Sequence, residues 1–203
     1  ELRIVQVWFA RMGIVALATG IAFLLTLPYQ SLPSYIPSIF GYVLVAGLLW
    51  LSRYWQESLR DISRYLLGGA LVLLFFTTLR LYFFSATPTI TSAWVEVPLL
   101  VAAAVSSILI SLRRSGKFLT GMSFTFGFVS ALVAGEALPL FLLNTACAAW
   151  CAYIAVTRRW GGLLSYGIVM TSVVHGVWAL NNPVLGNSLQ IVTAPSANLF
   201  FIL

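Results

Sequence analysis

Only a few side chains within the long apolar runs of this sequence, or in the short breaks between them, are suited to ion pairing, ligand binding or proton transfer. They are one arginine, two glutamates, one asparagine and the sole histidine: Arg80, Glu96, Glu136, Asn144 and His175. A charged side chain inside a bilayer costs roughly 2.5–3.5 kcal/mol on insertion scales, so such residues mark ion pairs, cavities or binding sites. We therefore treat these five residues as a candidate buried polar cluster in the outer half of a membrane.

Arg80 and Glu96 lie on consecutive apolar segments that form a hairpin. Arg80 falls late in one segment and Glu96 falls early in the next, so both are expected at a similar depth. A structural ion pair is favoured over separate extension of each charge to the headgroups. A substrate or ion site is the third interpretation.

His175 is the residue with the widest range of chemistry. A histidine can ligate a haem iron or the magnesium of a chlorophyll-type pigment, or relay protons. No second histidine accompanies it, and a packing role is favoured, so no cofactor is predicted. The sequence contains no catalytic Ser-His-Asp order, HExxH motif or phosphate-binding glycine loop. No catalytic residue, metal site or enzyme activity is predicted.

The segments that carry these residues must be membrane helices. Of 203 residues, 61% are hydrophobic and 8% are charged. Soluble domains average about 45–50% apolar residues and about 25% charged residues. A spanning helix needs about 20 apolar residues. The sequence therefore predicts one all-α domain, residues 1–203, with a bundle of seven to eight transmembrane helices. The predicted spans are 8–27, 36–52, 65–85, 94–112, 118–135, 138–157 and 162–180, with an eighth at 188–203.

The charges predict the orientation of these spans. The formal net charge is +6, and the basic residues fall in alternate connections, which include Arg53, Arg113 and Arg158. Cytoplasmic loops carry an excess of Lys and Arg. We therefore expect a multi-pass protein of the bacterial inner (cytoplasmic) membrane with a cytoplasmic N-terminus. The placement of basic residues in cytoplasmic loops accounts for the net positive charge, so no nucleic-acid partner is predicted.

Several segments resemble a bacterial family of polytopic membrane proteins, domain-of-unknown-function family 2339. The first span reads Trp8-Phe9-Ala10-Arg11-Met12-Gly13-Ile14, the third contains Leu66-Leu67-Gly68-Gly69-Ala70-Leu71, and Arg158-Arg159-Trp160 precedes the seventh. Members of that family are longer, so the chain is similar to a portion of one. The resemblance implies a helical membrane fold and assigns no activity.

Small residues spaced four apart predict the leading function. Such pairs, for example Thr145 with Ala149, allow helices to pack closely in lipid. We expect a structural or assembly subunit of a larger membrane complex, whose partners are the lipid bilayer and other membrane subunits. The alternative is a transporter, channel or lipid-handling permease with an outward-facing polar pocket. An outward cavity lined by the charged residues would favour the alternative.

Overall fold

The computed structural model describes residues 35–83, 92–114 and 116–192. These residues form six α-helices and contain no β-strand. The helices are α1 (Tyr35–Tyr54), α2 (Arg60–Arg80), α3 (Ala93–Arg113), α4 (Lys117–Val133), α5 (Ala137–Thr157) and α6 (Gly161–Ala179), followed by a 3₁₀ turn at Pro183–Leu185. The prediction of an all-α fold is confirmed for this part of the chain.

Five of these helices are long and apolar enough to cross a membrane. They are α1, α2, α3, α5 and α6, whereas α4 is apolar but has only 17 residues. Repeated apolar helices of this length are those of a multi-pass membrane protein. The described residues thus show fewer helices than the seven to eight predicted. The predicted span at 8–27 lies outside them.

The predicted eighth span is corrected where the structure describes it. Residues 188–192 are not helical, and the remainder of that span lies outside the described residues. The segment instead turns back onto the end of α6. The Val192 amide donates a hydrogen bond to the Ala179 carbonyl at 2.9 Å, and the Asn181 side-chain amide donates to the Ser188 carbonyl at 3.0 Å. Its backbone bonds are therefore made to α6 and not within a new helix.

Helix α2 is also displaced from its prediction. It begins and ends five residues earlier than the expected 65–85. The hydroxyl of Ser52, near the end of α1, donates to the Ser63 carbonyl at 2.8 Å, and the Ser63 hydroxyl donates to the Ser52 carbonyl in return. Both serines are buried, so this reciprocal pair holds the polar first turn of α2 against α1. At its other end, α2 stops at Arg80.

Two compact units divide the chain, residues 1–103 and residues 104–203. In the first unit, α1 and α2 pack as an antiparallel hairpin. Val45 contacts Leu73 in its core. Gly41 lies so close to Thr77 that a Cβ on the glycine would stand 2.6 Å from the threonine Oγ1. The two helices thus approach closely where one of them carries no side chain.

The second unit has a core formed by α4, α5 and α6. The two cysteines of α5 are free and pack against glycines of the neighbouring helices. A Cβ on Gly127 of α4 would stand 2.7 Å from the Cys147 sulfur, and one on Gly167 of α6 would stand 3.0 Å from the Cys151 sulfur. Close approach of helices through small residues is the usual packing mode in lipid. The cysteines, which share one face of α5, therefore serve as small packing residues, Cys147 toward α4 and Cys151 toward α6.

Candidate functional site

Buried polar side chains collect at one end of the first unit. They come from α1, α2 and α3 and are Ser38, Tyr42, Thr77, Thr78, Arg80 and Glu96. We call this set the first-unit polar cluster. Five of its six members are fully buried, and the sixth, Tyr42, is bonded to a buried one. Polar groups buried within membrane helices are expensive and mark functional sites.

The antiparallel register of α1 and α2 sets the position of each member. Gly41 lies opposite Thr77, and Val45 lies opposite Leu73 one turn further on. The same register places Ser38 level with Arg80. The Ser38 hydroxyl is buried and has no hydrogen-bond partner in the described part of the chain. Ser38 and Arg80 thus occupy the same level of the hairpin backbone.

A hydroxyl pair joins the two helices directly above this level. The Tyr42 and Thr78 hydroxyl oxygens are 3.1 Å apart. Thr78 donates its one proton to the Leu74 carbonyl at 2.8 Å, the usual i−4 bond of a helical threonine. Tyr42 must therefore be the donor to Thr78. The Tyr42 oxygen retains lone pairs that can accept a further hydrogen bond.

Glu96 brings α3 to the same cluster. Its carboxylate interacts electrostatically with the Tyr42 hydroxyl, and the residue is only 1% exposed. Neither carboxylate oxygen has a hydrogen-bond partner among the described residues. A buried carboxyl group without hydrogen bonds is strongly destabilising when charged. Glu96 is thus the most costly member of the cluster.

Arg80 is 2% exposed and interacts with other groups of the protein. Its place at the end of α2 lets a positive charge stabilise the helix C-terminus. The sequence predicts an ion pair between Arg80 and Glu96. That pair stays a prediction: both residues are buried in the first unit, and the Glu96 oxygens make no hydrogen bond within the described residues.

The remaining predicted site residues belong to the second unit. Glu136 is exposed and precedes α5 without capping it through its side chain. Asn144 is 1% exposed, and its Oδ1 has no hydrogen-bond partner in the part of the chain that the structure describes. Exposed Glu136 and buried Asn144 thus have different environments, although the sequence groups them together.

His175 lies among aromatic rings. Its ring stacks on Trp178 with centroids 5.9 Å apart, and it is tilted against Phe141 at 6.3 Å. Phe141 and Trp178 in turn meet edge to face at 4.7 Å. These contacts are those of a packed side chain. In residues 35–83, 92–114 and 116–192, no three His, Cys, Asp or Glu side chains come together as metal ligands would.

Sequence reasoning missed the hydroxyl residues of the first-unit polar cluster. Tyr42, Thr77 and Thr78 are neither charged nor strongly polar, so the segments that contain them still read as continuous apolar runs. The available signal was Gly41 beside Tyr42, since a glycine in a spanning helix often marks close approach of a neighbour. No family model, curated protein or solved structure matches this chain.

Proposed function

We propose that this protein is a helical subunit of a larger membrane complex, and that α5 and α6 contact a transmembrane helix of another subunit. The chain supplies several spanning helices. The observation that carries the proposal is the presence of exposed small residues on faces of α5 and α6 that no other described residue covers.

On α5, small residues occupy two different faces. Cys147 and Cys151 meet the glycines of α4 and α6, whereas Thr145, Ala146 and Ala149 are exposed. A face that contacts lipid has no need of small side chains, because lipid fills the space around large ones equally well. Small residues at i and i+4 are instead typical of helix–helix contacts. Thr145 and Ala149 therefore favour a partner helix at this face.

On α6, Ser172 and Gly176 repeat the same spacing. Both residues are exposed, and a Cβ placed on Gly176 would have no neighbour within 4 Å. Glycine inside a helix costs about 1 kcal/mol relative to alanine. Since no described residue lies close to Gly176, close approach of a second helix would explain the glycine.

The test enlarges the small faces and measures assembly. Ala149→Leu and Gly176→Leu are expected to reduce the mass of the assembly extracted from membranes, while the melting temperature of the chain stays unchanged. Val156→Leu is the matched control, since Val156 is also exposed on α5 but already large. Equal assembly in all variants would contradict the proposal.

A second candidate function is transport, and Glu96 favours it. A carboxyl group buried without hydrogen bonds among the described residues can take up and release a proton. In proteoliposomes carrying a pH-sensitive dye and a potassium diffusion potential, transport predicts proton flux that Glu96→Gln abolishes. An absence of flux, or flux equal in the variant, would contradict proton-coupled transport.

The proposal also includes the membrane orientation of the chain, its cellular compartment and its family. We place the N-terminus in the cytoplasm of a bacterium and regard the chain as related to domain-of-unknown-function family 2339. The alternation of basic loops supports the orientation. An impermeant maleimide should label Ser34→Cys and spare Ser58→Cys in intact cells. The reverse pattern would overturn the orientation.

A further inference from the structure

A groove of about 530 Å³ opens on the second unit, where α4 and α6 begin. One wall is the start of α4 and the other is the start of α6. A hydroxyl pair closes its inner end: Thr125 donates to the Gly121 carbonyl, so Tyr166 donates to Thr125 across a gap of 2.6 Å. Lys117 at the mouth is eight residues from Thr125, so the groove runs about 12 Å along α4.

The rim and the interior of the groove differ in chemistry. The rim carries two exposed cations, Lys117 and Arg159, beside the aromatic side chains of Phe118 and Trp160. The interior is lined by glycine, methionine, leucine and the hydroxyl pair at its end. A charged mouth flanked by aromatic rings above an apolar wall is the pattern of a membrane interface. It also matches a phospholipid, which has a phosphate above acyl chains.

The charge distribution of the second unit also favours an anionic ligand at this groove. In residues 104–203, the five cations lie in the two connections that contribute to this end of the unit. The only acidic residue of that range is Glu136, which precedes α5 at the other end of the helix. No acidic side chain lines the groove. The mouth is therefore complementary to an anion.

Arg159 occupies a backbone conformation that arginine rarely adopts. Its φ is +53°, in the left-handed region. The Trp160 amide donates to the Ala155 carbonyl and the Arg159 amide to the Val156 carbonyl, which together form a Schellman motif at the end of α5. Glycine is the usual residue at this position, because a Cβ is strained there. An arginine at a position that usually holds glycine, on the rim of a groove, favours a role for its charge.

We propose that this groove binds the headgroup of an anionic phospholipid, with Lys117 and Arg159 on the phosphate and an acyl chain along the wall of α4. The apolar wall favours a lipid over a free phosphate anion, which would use the cations alone. The site is independent of whether α5 and α6 contact another subunit.

The open floor of the groove explains its glycines. A Cβ placed on Gly161 or Gly162 would have no neighbour within 4 Å. Since both glycines line the groove, a side chain at either position would occupy open space next to it. Gly162→Leu is therefore expected to obstruct the groove without removing a charge.

The experiment counts lipids bound to the delipidated, detergent-purified protein by native mass spectrometry, with phosphatidylglycerol and phosphatidylcholine as probes. A cation near an anionic lipid is worth about fivefold in affinity, so two give about 25-fold. Wild type is expected to prefer phosphatidylglycerol by about that factor. The double variant Lys117→Gln with Arg159→Gly should abolish the preference, and Gly162→Leu should weaken binding with both cations present.

The controls separate a site from general surface charge. Arg158→Gln removes an exposed neighbouring cation that does not line the groove, so it should retain the preference. Arg159→Gly relieves backbone strain, so its melting temperature should equal or exceed that of wild type. Equal losses in Arg158→Gln and the double variant would overturn the proposal.

Two further outcomes would also overturn it. If wild type binds the two lipids equally, the groove does not select an anionic lipid, and an acidic segment of a partner protein would be its occupant instead. Displacement of phosphatidylglycerol by millimolar inorganic phosphate would show that the apolar wall of the groove contributes nothing to lipid binding. Retention of the lipid in phosphate supports the assignment.

Discussion

Replacement of Gly41 by alanine should destabilise the α1–α2 hairpin of the first unit. The added Cβ would stand 2.6 Å from Thr77 Oγ1 and 2.7 Å from Thr77 Cγ2. Ordinary van der Waals contact begins near 3.4 Å, so the overlap is about 0.8 Å. Thr77 is fully buried and β-branched, so its side chain has little freedom to move away.

The magnitude follows from two opposing effects. Overpacking of a close contact costs typically about 1–3 kcal/mol, whereas alanine gains up to about 1 kcal/mol over glycine in a helix. The net loss of stability should be up to about 2 kcal/mol. Gly47→Ala in the same helix is the matched control, because its Cβ would have no neighbour within 4 Å. That variant should be neutral or slightly more stable.

The assay is thermal unfolding in mild detergent, applied to a double-mutant cycle. Thr77→Ala removes both atoms in closest contact and leaves only Thr77 Cβ, at 3.2 Å. The pair Gly41→Ala with Thr77→Ala should therefore recover most of the stability that Gly41→Ala loses. Two results would refute the predicted clash: additive losses of stability in the double variant, or equal changes of melting temperature in Gly41→Ala and Gly47→Ala.

Three further predictions address the other contacts. Gly127→Ala should lower the melting temperature, since its Cβ would stand 2.7 Å from the Cys147 sulfur, and Cys147→Ala should restore it; loss without rescue would argue against the contact. Glu96→Met should stabilise the chain by about 1–3 kcal/mol, because the buried carboxylate oxygens have no hydrogen-bond partner among the described residues; a sharp fall in folded yield would instead show a buried ion pair. Tyr42→Phe should cost about 0.5–1.5 kcal/mol; Thr78→Val removes the same hydrogen bond and also the one that Thr78 donates to the Leu74 carbonyl, so the double variant should lose no more stability than Thr78→Val alone, and fully additive losses would contradict the Tyr42–Thr78 bond.

The sequence predicts most helices because hydropathy and length decide them. The bounds of α1, α3, α4, α5 and α6 lie within two residues of the predicted spans. Helix α2 differs because the Ser52–Ser63 hydrogen bonds extend it into a polar stretch, which an apolar window excludes. The start of the predicted eighth span fails because its backbone bonds to α6, and a tertiary contact of this kind leaves no periodic signal.

The candidate site is only partly readable from the sequence. Burial of Arg80 and Glu96 follows from their place in apolar segments, since a charge there is exceptional. The involvement of Tyr42 depends on which faces of α1 and α2 meet, and that is set by Gly41 and Thr77. The aromatic surroundings of His175 depend likewise on the angle between α5 and α6. Helix rotation of this kind is determined by packing and not by composition.

Native mass spectrometry of membrane patches extracted without detergent reports whether this protein assembles with other subunits in the membrane. We expect wild type and Val156→Leu to leave the membrane in an assembly heavier than one chain, and Ala149→Leu with Gly176→Leu to leave it as a single folded chain. Wild type at the mass of one chain, with only lipid attached, would overturn the proposed assembly.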